Sequence, residues 1–408
     1  MYVGTVPALF LIGTARGYTS SSSSSSSSQL SPTICSISFE DLNIPASSPT
    51  VTVKIFDVVD DPRQVVISAK GFVTPVAPGY ENLTCPVFAF LIENTSTQQK
   101  VLFDLGPRKD FENGAPGVAE AVKAGHLALP ISKDIVEQLS ENGVEPKSIS
   151  AVIWRRVKDL YHSHSDHTGD MSKFPSTTEL VFGKDTLTET YETNPRSTLI
   201  PSDLAGRNLV RLDFDTAPLV IGGLKALDFF DDGSFYILNV RGHQAGHVCA
   251  LVRVTPTSFV FLGADTCHHP GIFRPTAKLH RNIPCPGELI AAARSSISHT
   301  HIHAPEGTES SFDLSARTTP LLSIAEDGYF EDPPAAHDSI RKMGDFDANP
   351  DVFVVLAHDE SLGPLIGPFP TFLDQWQAKG WKKEATWAFV DEKNPAFRFG
   401  DSATGRDI

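Results

Sequence analysis

The stretch YHSHSDHTGD, Tyr161 to Asp170, holds three histidines and two aspartates in ten residues. Where backbone is extended or turning, alternate side chains share a face, so His162 and His164 can aim at one ion. Asp166 and His167 add two further ligands in the next turn. One tetrahedral ion rarely takes four ligands from six residues and more from elsewhere, so the density favours two adjacent cations sharing this loop. Such a cluster needs remote partners, and three stand just past apolar runs: His243 in RGHQAGH, Asp265 in FLGADTCHH and His358 in VVLAHDE.

Outward from the loop, the texture is that of strands and helices in alternation. VTVKIFDVV, PVFAFLIE and KVLFDLG read as strands, the last two joined by the polar turn NTSTQQ. PGVAEAVKAG and KDIVEQLSENG, the latter closed by Gly143, read as helices ahead of the apolar run ISAVIW. LVFG, SFYILNV, VCALVRV, SFVFLGA and VFVVLAH continue the strand pattern, and Asp or His recurs at their C-terminal ends. Strand ends that face one edge can converge on one site.

The 408 residues suffice for a large α/β domain with a real core. A net charge of −15 with no Lys/Arg run disfavours nucleic acid and anionic membranes as partners and favours a small-molecule substrate. Cys35, Cys85, Cys249, Cys267 and Cys285 are odd in number and lack C-x-x-C spacing, so neither a disulfide framework nor a zinc ribbon is indicated, and a reducing, cytoplasmic compartment fits. No apolar run approaches the roughly 18 residues of a membrane span. VPALFLIGTA has the apolarity of a short signal segment, but no positive charge precedes it and a serine run begins at Ser20. Residues 1–50 are therefore expected to be a disordered, low-complexity head, and residues 51–408 a single folded domain.

The order H-x-H-x-D-H, then G-H-x-x-G-H, then an aspartate and a late histidine each after an apolar strand, resembles the metallo-β-lactamase superfamily from about Val51 to Gly400. FFDDGSFYILNVRGHQAGHVCALVRVT with FLGADTCHHPGIFRP is most similar to fungal members of its lactonase-like branch. The resemblance implies an α/β protein, an αβ/βα four-layer sandwich with helices outside and metals at one edge between the sheets. It implies that His162, His164 and His243 hold the first cation, that Asp166, His167 and His358 hold the second, and that Asp265 bridges them. Asp104 in LFDLG matches an aspartate that supports the metal loop from behind. The implied activity is that of a dinuclear metal-dependent hydrolase, with two divalent cations, zinc foremost, whose bound hydroxide opens a lactone, lactam or related ester. Asp166 is then a proton shuttle as well as a ligand. The alternatives are a thioester hydrolase of the glyoxalase-II type, although the corresponding C-terminal tail, with Lys379, Lys382 and Lys383, shows no motif of its basic site, and a metal-binding scaffold without turnover.

Two positions depart from the family pattern. RRVKDLY, Arg155 to Tyr161, separates the strand VIW from the first histidine, and Arg241 stands where proline is common. His268 lies three residues after Asp265, where the branch often has a tyrosine near the substrate, and is a candidate catalytic or substrate-contacting residue. His247 is expected to hydrogen-bond rather than ligate, HTHIH (His299 to His303) to be a solvated loop, Arg274 to be an ion-pair partner, and Cys267 to be inert.

Overall fold

The computed structural model describes residues 38–125, 129–154, 165–284, 286, 289 and 318–399. His162, His164, the Arg155–Tyr161 segment and the HTHIH stretch lie outside the described residues. In chain order the first strands are β1 (Val51–Asp57), β2 (Val66–Ser68), β3 (Asn82–Thr84), β4 (Phe88–Asn94), β5 (Lys100–Phe103), β6 (Ile149–Ile153), β7 (Glu179–Gly183) and β8 (Leu209–Leu212). They continue as β9 (Leu219–Ile221), β10 (Leu224–Asp228), β11 (Phe235–Asn239), β12 (Val248–Thr255), β13 (Ser258–Ala264), β14 (Val352–Leu356) and β15 (Thr371–Phe372). One sheet has the order β15-β1-β4-β5-β6-β7-β8 and the other β14-β13-β12-β11-β10-β9, with β2 and β3 pairing apart.

Period-two alternation sorts the first sheet's side chains. Val53 and Ile55 of β1, Phe88, Phe90 and Ile92 of β4, and Val101 and Phe103 of β5 enter the core shared with the second sheet. Phe56, Ala89, Leu91, Leu102 and Val152 face the other way, onto Ile135 and Leu139 of the helix Ile135–Glu141. That helix starts at a reciprocal cap: Glu137 N–H donates to Asp134 Oδ1 and Asp134 N–H to Glu137 Oε2, each at 3.0 Å. On the outer face of the second sheet, Ile340, Met343 and Phe346 of the helix Pro333–Asp347 pack inward, with Phe346 against Phe261 at 4.8 Å. Both strand faces are buried, which is why the strand sequences read as continuous apolar runs. The layers are helix, sheet, sheet and helix, the αβ/βα sandwich of the metallo-β-lactamase fold. Among the described residues no helix is long and apolar enough to cross a membrane.

Apolar residues just before β1 pack on the core. Phe39, Leu42 and Ile44 are buried in the core, and Phe39 N–H donates to Asp351 Oδ2 at 3.0 Å. Three apolar residues among polar ones suffice here because long-range partners, invisible to a composition argument, complete their burial.

Arg274 forms a buried two-pronged ion pair with Asp347, both bonds 2.8 Å, as its expected structural role requires. Lys382 is buried beside it and donates to the Asp347 carbonyl at 2.6 Å. It therefore faces the core rather than a thioester's carrier group.

Asp57 ends β1, and its Oδ1 accepts N–H bonds from Val59 at 3.2 Å and Val87 at 3.1 Å. Burial pushes its carboxyl up to about 7 against the lowering effect of those bonds. The folded chain thus keeps a proton that the unfolded chain releases near 4, so stability falls as pH rises between about 4 and about 7. Asp57→Asn retains the acceptor oxygen and cannot ionise. Its Tm relative to the parent protein is expected to climb from about pH 5 to about pH 8. A difference independent of pH would show that Asp57 does not titrate in that window.

Candidate metal centre

Strands β5 and β6 run parallel, as do β13 and β14, and their C-terminal ends deliver polar side chains to one edge of the sandwich. Asp104 follows β5 in left-handed backbone, φ 73°, with its N–H on the Ile153 carbonyl at 3.0 Å. Its Oδ1 accepts from Gly106 N–H at 2.8 Å, which leaves Oδ2 3.1 Å from His167 Nδ1. The loop bearing Asp166 and His167 is fastened by Gly169 N–H to Gly106 O at 2.9 Å and by Trp154 Nε1–H to Thr168 O at 3.2 Å. Gly169 has φ 54°, and a Cβ there would overlap Leu105, so glycine alone lets the loop close on β5.

His243 arrives by a turn after β11. Gly242, φ 117°, presses against Ala336 at the start of the helix Pro333–Asp347, and Glu331 N–H donates to the His243 carbonyl at 3.1 Å. His247 bonds through Nδ1 to Val240 O at 2.9 Å, and its Nε2 accepts the Asp265 N–H at 3.3 Å. It holds the aspartate's backbone, the hydrogen-bonding role its position in G-H-x-x-G-H suggested. His358 follows β14 and donates from Nδ1 to Pro86 O at 2.8 Å.

These segments bring the side chains together. Asp265 is fully buried, and its Oδ2 lies 3.2 Å from His167 Nε2 and 3.5 Å from His243 Nε2, while Oδ1 lies 3.3 Å from His358 Nε2. Asp166 is 3.1 Å from His167 Nε2 and 3.5 Å from His358 Nε2. Two donor groups result, Asp166 with His167 and His358, and His243 with Asp265 and His268.

The donor chemistry fits divalent cations. Asp104 and the Pro86 carbonyl take the Nδ1 protons of His167 and His358, so the Nε2 lone pairs face carboxylate oxygens 3.1 to 3.5 Å away. Lone pairs facing anionic oxygens repel one another. Protonating His167, His243, His268 and His358 to relieve this would bury more positive charge than Asp104, Asp166 and Asp265 balance. Cations between the donors turn repulsion into ligation, and two donor groups joined by one carboxylate suit two of them.

Aromatic rings wall the second group. Phe72 lies 4.2 Å from His268 and Phe330 5.0 Å from His243, with Tyr329 against Phe72 at 4.9 Å. Their two loops are tied by Thr74 N–H to Ser323 O at 2.9 Å and Tyr329 N–H to Gly71 O at 2.9 Å. Nothing in the strand-and-ligand pattern of the sequence signals these rings. Neither does it signal the Pro86 carbonyl, which acts through backbone.

Comparison with known proteins places this site in a lineage. Over 385 residues the chain is 36% identical to the metallo-hydrolase mfmC of Annulohypoxylon moriforme, covering 89% of this chain and 93% of that protein. The chain belongs to the metallo-β-lactamase superfamily, in its fungal lactonase-like branch. It is 34% identical over 374 residues to the gamma-lactamase FDB1 of Fusarium pseudograminearum (strain CS3096), covering 86% of this chain and 84% of that one. A crystal structure of a quorum-quenching N-acyl homoserine lactone lactonase superposes with a TM-score of 0.49 at 15% identity, over 80% of this chain and 100% of that one. No family model matches the sequence. This superfamily member is a metal-dependent hydrolase, and its two donor groups are of a kind that can hold divalent cations.

Of the residues expected to form the site, Asp166, His167, His243, Asp265 and His358 converge as described, with Asp104 behind His167. His268, expected on the substrate side, sits among the donors. Cys267 is buried, and burial pushes its thiol far up, which agrees with an inert residue.

Proposed function

We propose that this enzyme opens a small lactone or lactam ring, or cleaves a related ester, with two zinc ions. The single observation that carries the reading is the Asp265 carboxylate, within 3.2 to 3.5 Å of imidazole nitrogens from both donor groups. In this assignment Asp166, His167 and His358 hold one cation, His243 serves the other together with His162 and His164 of the sequence motif, and Asp265 bridges. Imidazole and carboxylate donors suit zinc. Bound there, the cations supply Lewis acidity and a hydroxide nucleophile near neutral pH.

The chain's own residues do the rest. Asp104 and the Pro86 carbonyl keep His167 and His358 in the ligating tautomer. Asp166, 18% exposed beside a fully buried Asp265, is the carboxylate that can pass a proton to the leaving oxygen or nitrogen. Phe72 and Phe330 bound the site on the His268 side, with Tyr329 against Phe72. The relative named as a gamma-lactamase supports the lactam arm. Buried free thiols at Cys85, Cys249 and Cys267 support a reducing compartment such as the cytoplasm.

The test is a hydrolysis panel of lactones, lactams, aryl esters and glutathione thioesters on metal-quantified protein. Two equivalents of metal per chain and turnover of a cyclic ester or amide above the thioesters are the expected result. A reproducible single equivalent after zinc supplementation would overturn the dinuclear assignment, and faster thioester turnover the substrate class.

A further inference from the structure

We infer that His268 is a direct ligand of the cation held by His243 and Asp265, an extra imidazole on that side of the centre; the inference rests on the dinuclear reading above. His268 Nε2 lies 3.9 Å from Asp265 Oδ2, and His243 Nε2 lies 3.5 Å from the same oxygen. The donor atoms of all three residues lie within 4.8 Å of one another. A cation about 2.1 Å from its donors keeps neighbouring donors roughly 3 to 3.5 Å apart and opposed ones roughly 4 Å apart. The 3.5 and 3.9 Å spacings of His243 and His268 from Asp265 Oδ2 fall in that range.

A substrate-contacting or proton-carrying histidine needs open space on one side of its ring, and His268 has little. It is 6% exposed. One face stacks on His358, 12° from parallel with ring centres 5.3 Å apart, and Phe72 packs against it at 4.2 Å. The turn that carries it is pinned by the next residue. His269 Nδ1 accepts from Gly271 N–H at 2.9 Å, so Nε2 bears the proton and donates to Ala396 O at 2.7 Å. His268 is thus a preset donor on a rigid turn.

The consequence is an asymmetric centre. The cation beside His268 gains a donor that the cation of Asp166, His167 and His358 lacks, so it should leave more slowly under a chelator, and the other should offer the more open face to a substrate.

The informative variant is His268→Phe, which keeps a flat ring against Phe72 and His358 and removes the nitrogen; His268→Gln is the second variant where the phenylalanine protein does not fold. Each holoenzyme is dialysed against graded dipicolinate, with metal counted by mass spectrometry, and each is also examined by absorption after substitution with Co2+. The parent is expected to release its two equivalents in separate steps. In the variant the more resistant step should move to at least about tenfold lower chelator, with the labile step unmoved and the Co2+ bands altered. Unchanged release and an unchanged Co2+ spectrum would overturn His268 ligation, even with turnover reduced. A parent that binds one equivalent defeats the dinuclear reading separately, and there the Co2+ spectrum of the variant still decides for or against His268.

Discussion

Asp265→Ala is expected to strip both cations together and to lower kcat/KM by about three orders of magnitude or more. Removing a single preorganised group that stabilises developing charge costs roughly 10²–10³ in rate, and here the charge that holds the centre goes with it. Among the described residues Asp265 alone has oxygens within 3.5 Å of nitrogens from both donor groups. It is also fully buried, so water cannot easily restore its negative charge between the imidazoles. His358→Ala provides the contrast, because His358 belongs only to the group of Asp166 and His167 and should release mainly one equivalent. Metal counted on both purified variants decides the matter. An Asp265→Ala protein that keeps one equivalent with the parent's resistance to chelator would show that the carboxylate does not bridge.

Asp265 and His358 were legible in the sequence for a simple reason. A charged or ligating residue directly after an apolar strand must lie at a strand end, and strands of one sheet direction bring such ends to one edge. Asp104 was legible only through the family resemblance, since its working feature is a left-handed φ of 73° that turns Oδ2 toward His167. Groups that act through backbone or through distant packing left no mark. The Pro86 carbonyl that orients His358 has no side-chain signature, and Phe72 comes to His268 across nearly two hundred residues of chain. The same limit holds for Phe39, which is buried against Phe259, 5.3 Å away in space and remote in sequence. Lys382 shows the converse: a lysine in a polar-looking tail ends inside the protein because Asp347 and Val352 offer carbonyl oxygens to it.

Asp166→Asn separates the proton-passing role of that residue from its role as a donor. At neutral pH a carboxylate that faces a cation is ionised. It can therefore accept a proton from the attacking water and return it to the departing group. An alkyl lactone expels a strongly basic alkoxide that must be protonated as it leaves, whereas aryl oxides and thiolates depart without help. With Asn at this position, alkyl lactone turnover is expected to fall by roughly 10²–10³, and aryl ester or thioester turnover by less than about tenfold. The amide oxygen can still face the cation, so the metal count should stay close to that of the parent, and it is measured on the same preparation. Equal losses on all substrates, or loss of one equivalent of metal, would mean that Asp166 acts only as a donor. The proton then moves by another route, and because Asp265 is sealed from solvent while Asp166 keeps 18% exposure, that route would have to run through water rather than through the second carboxylate.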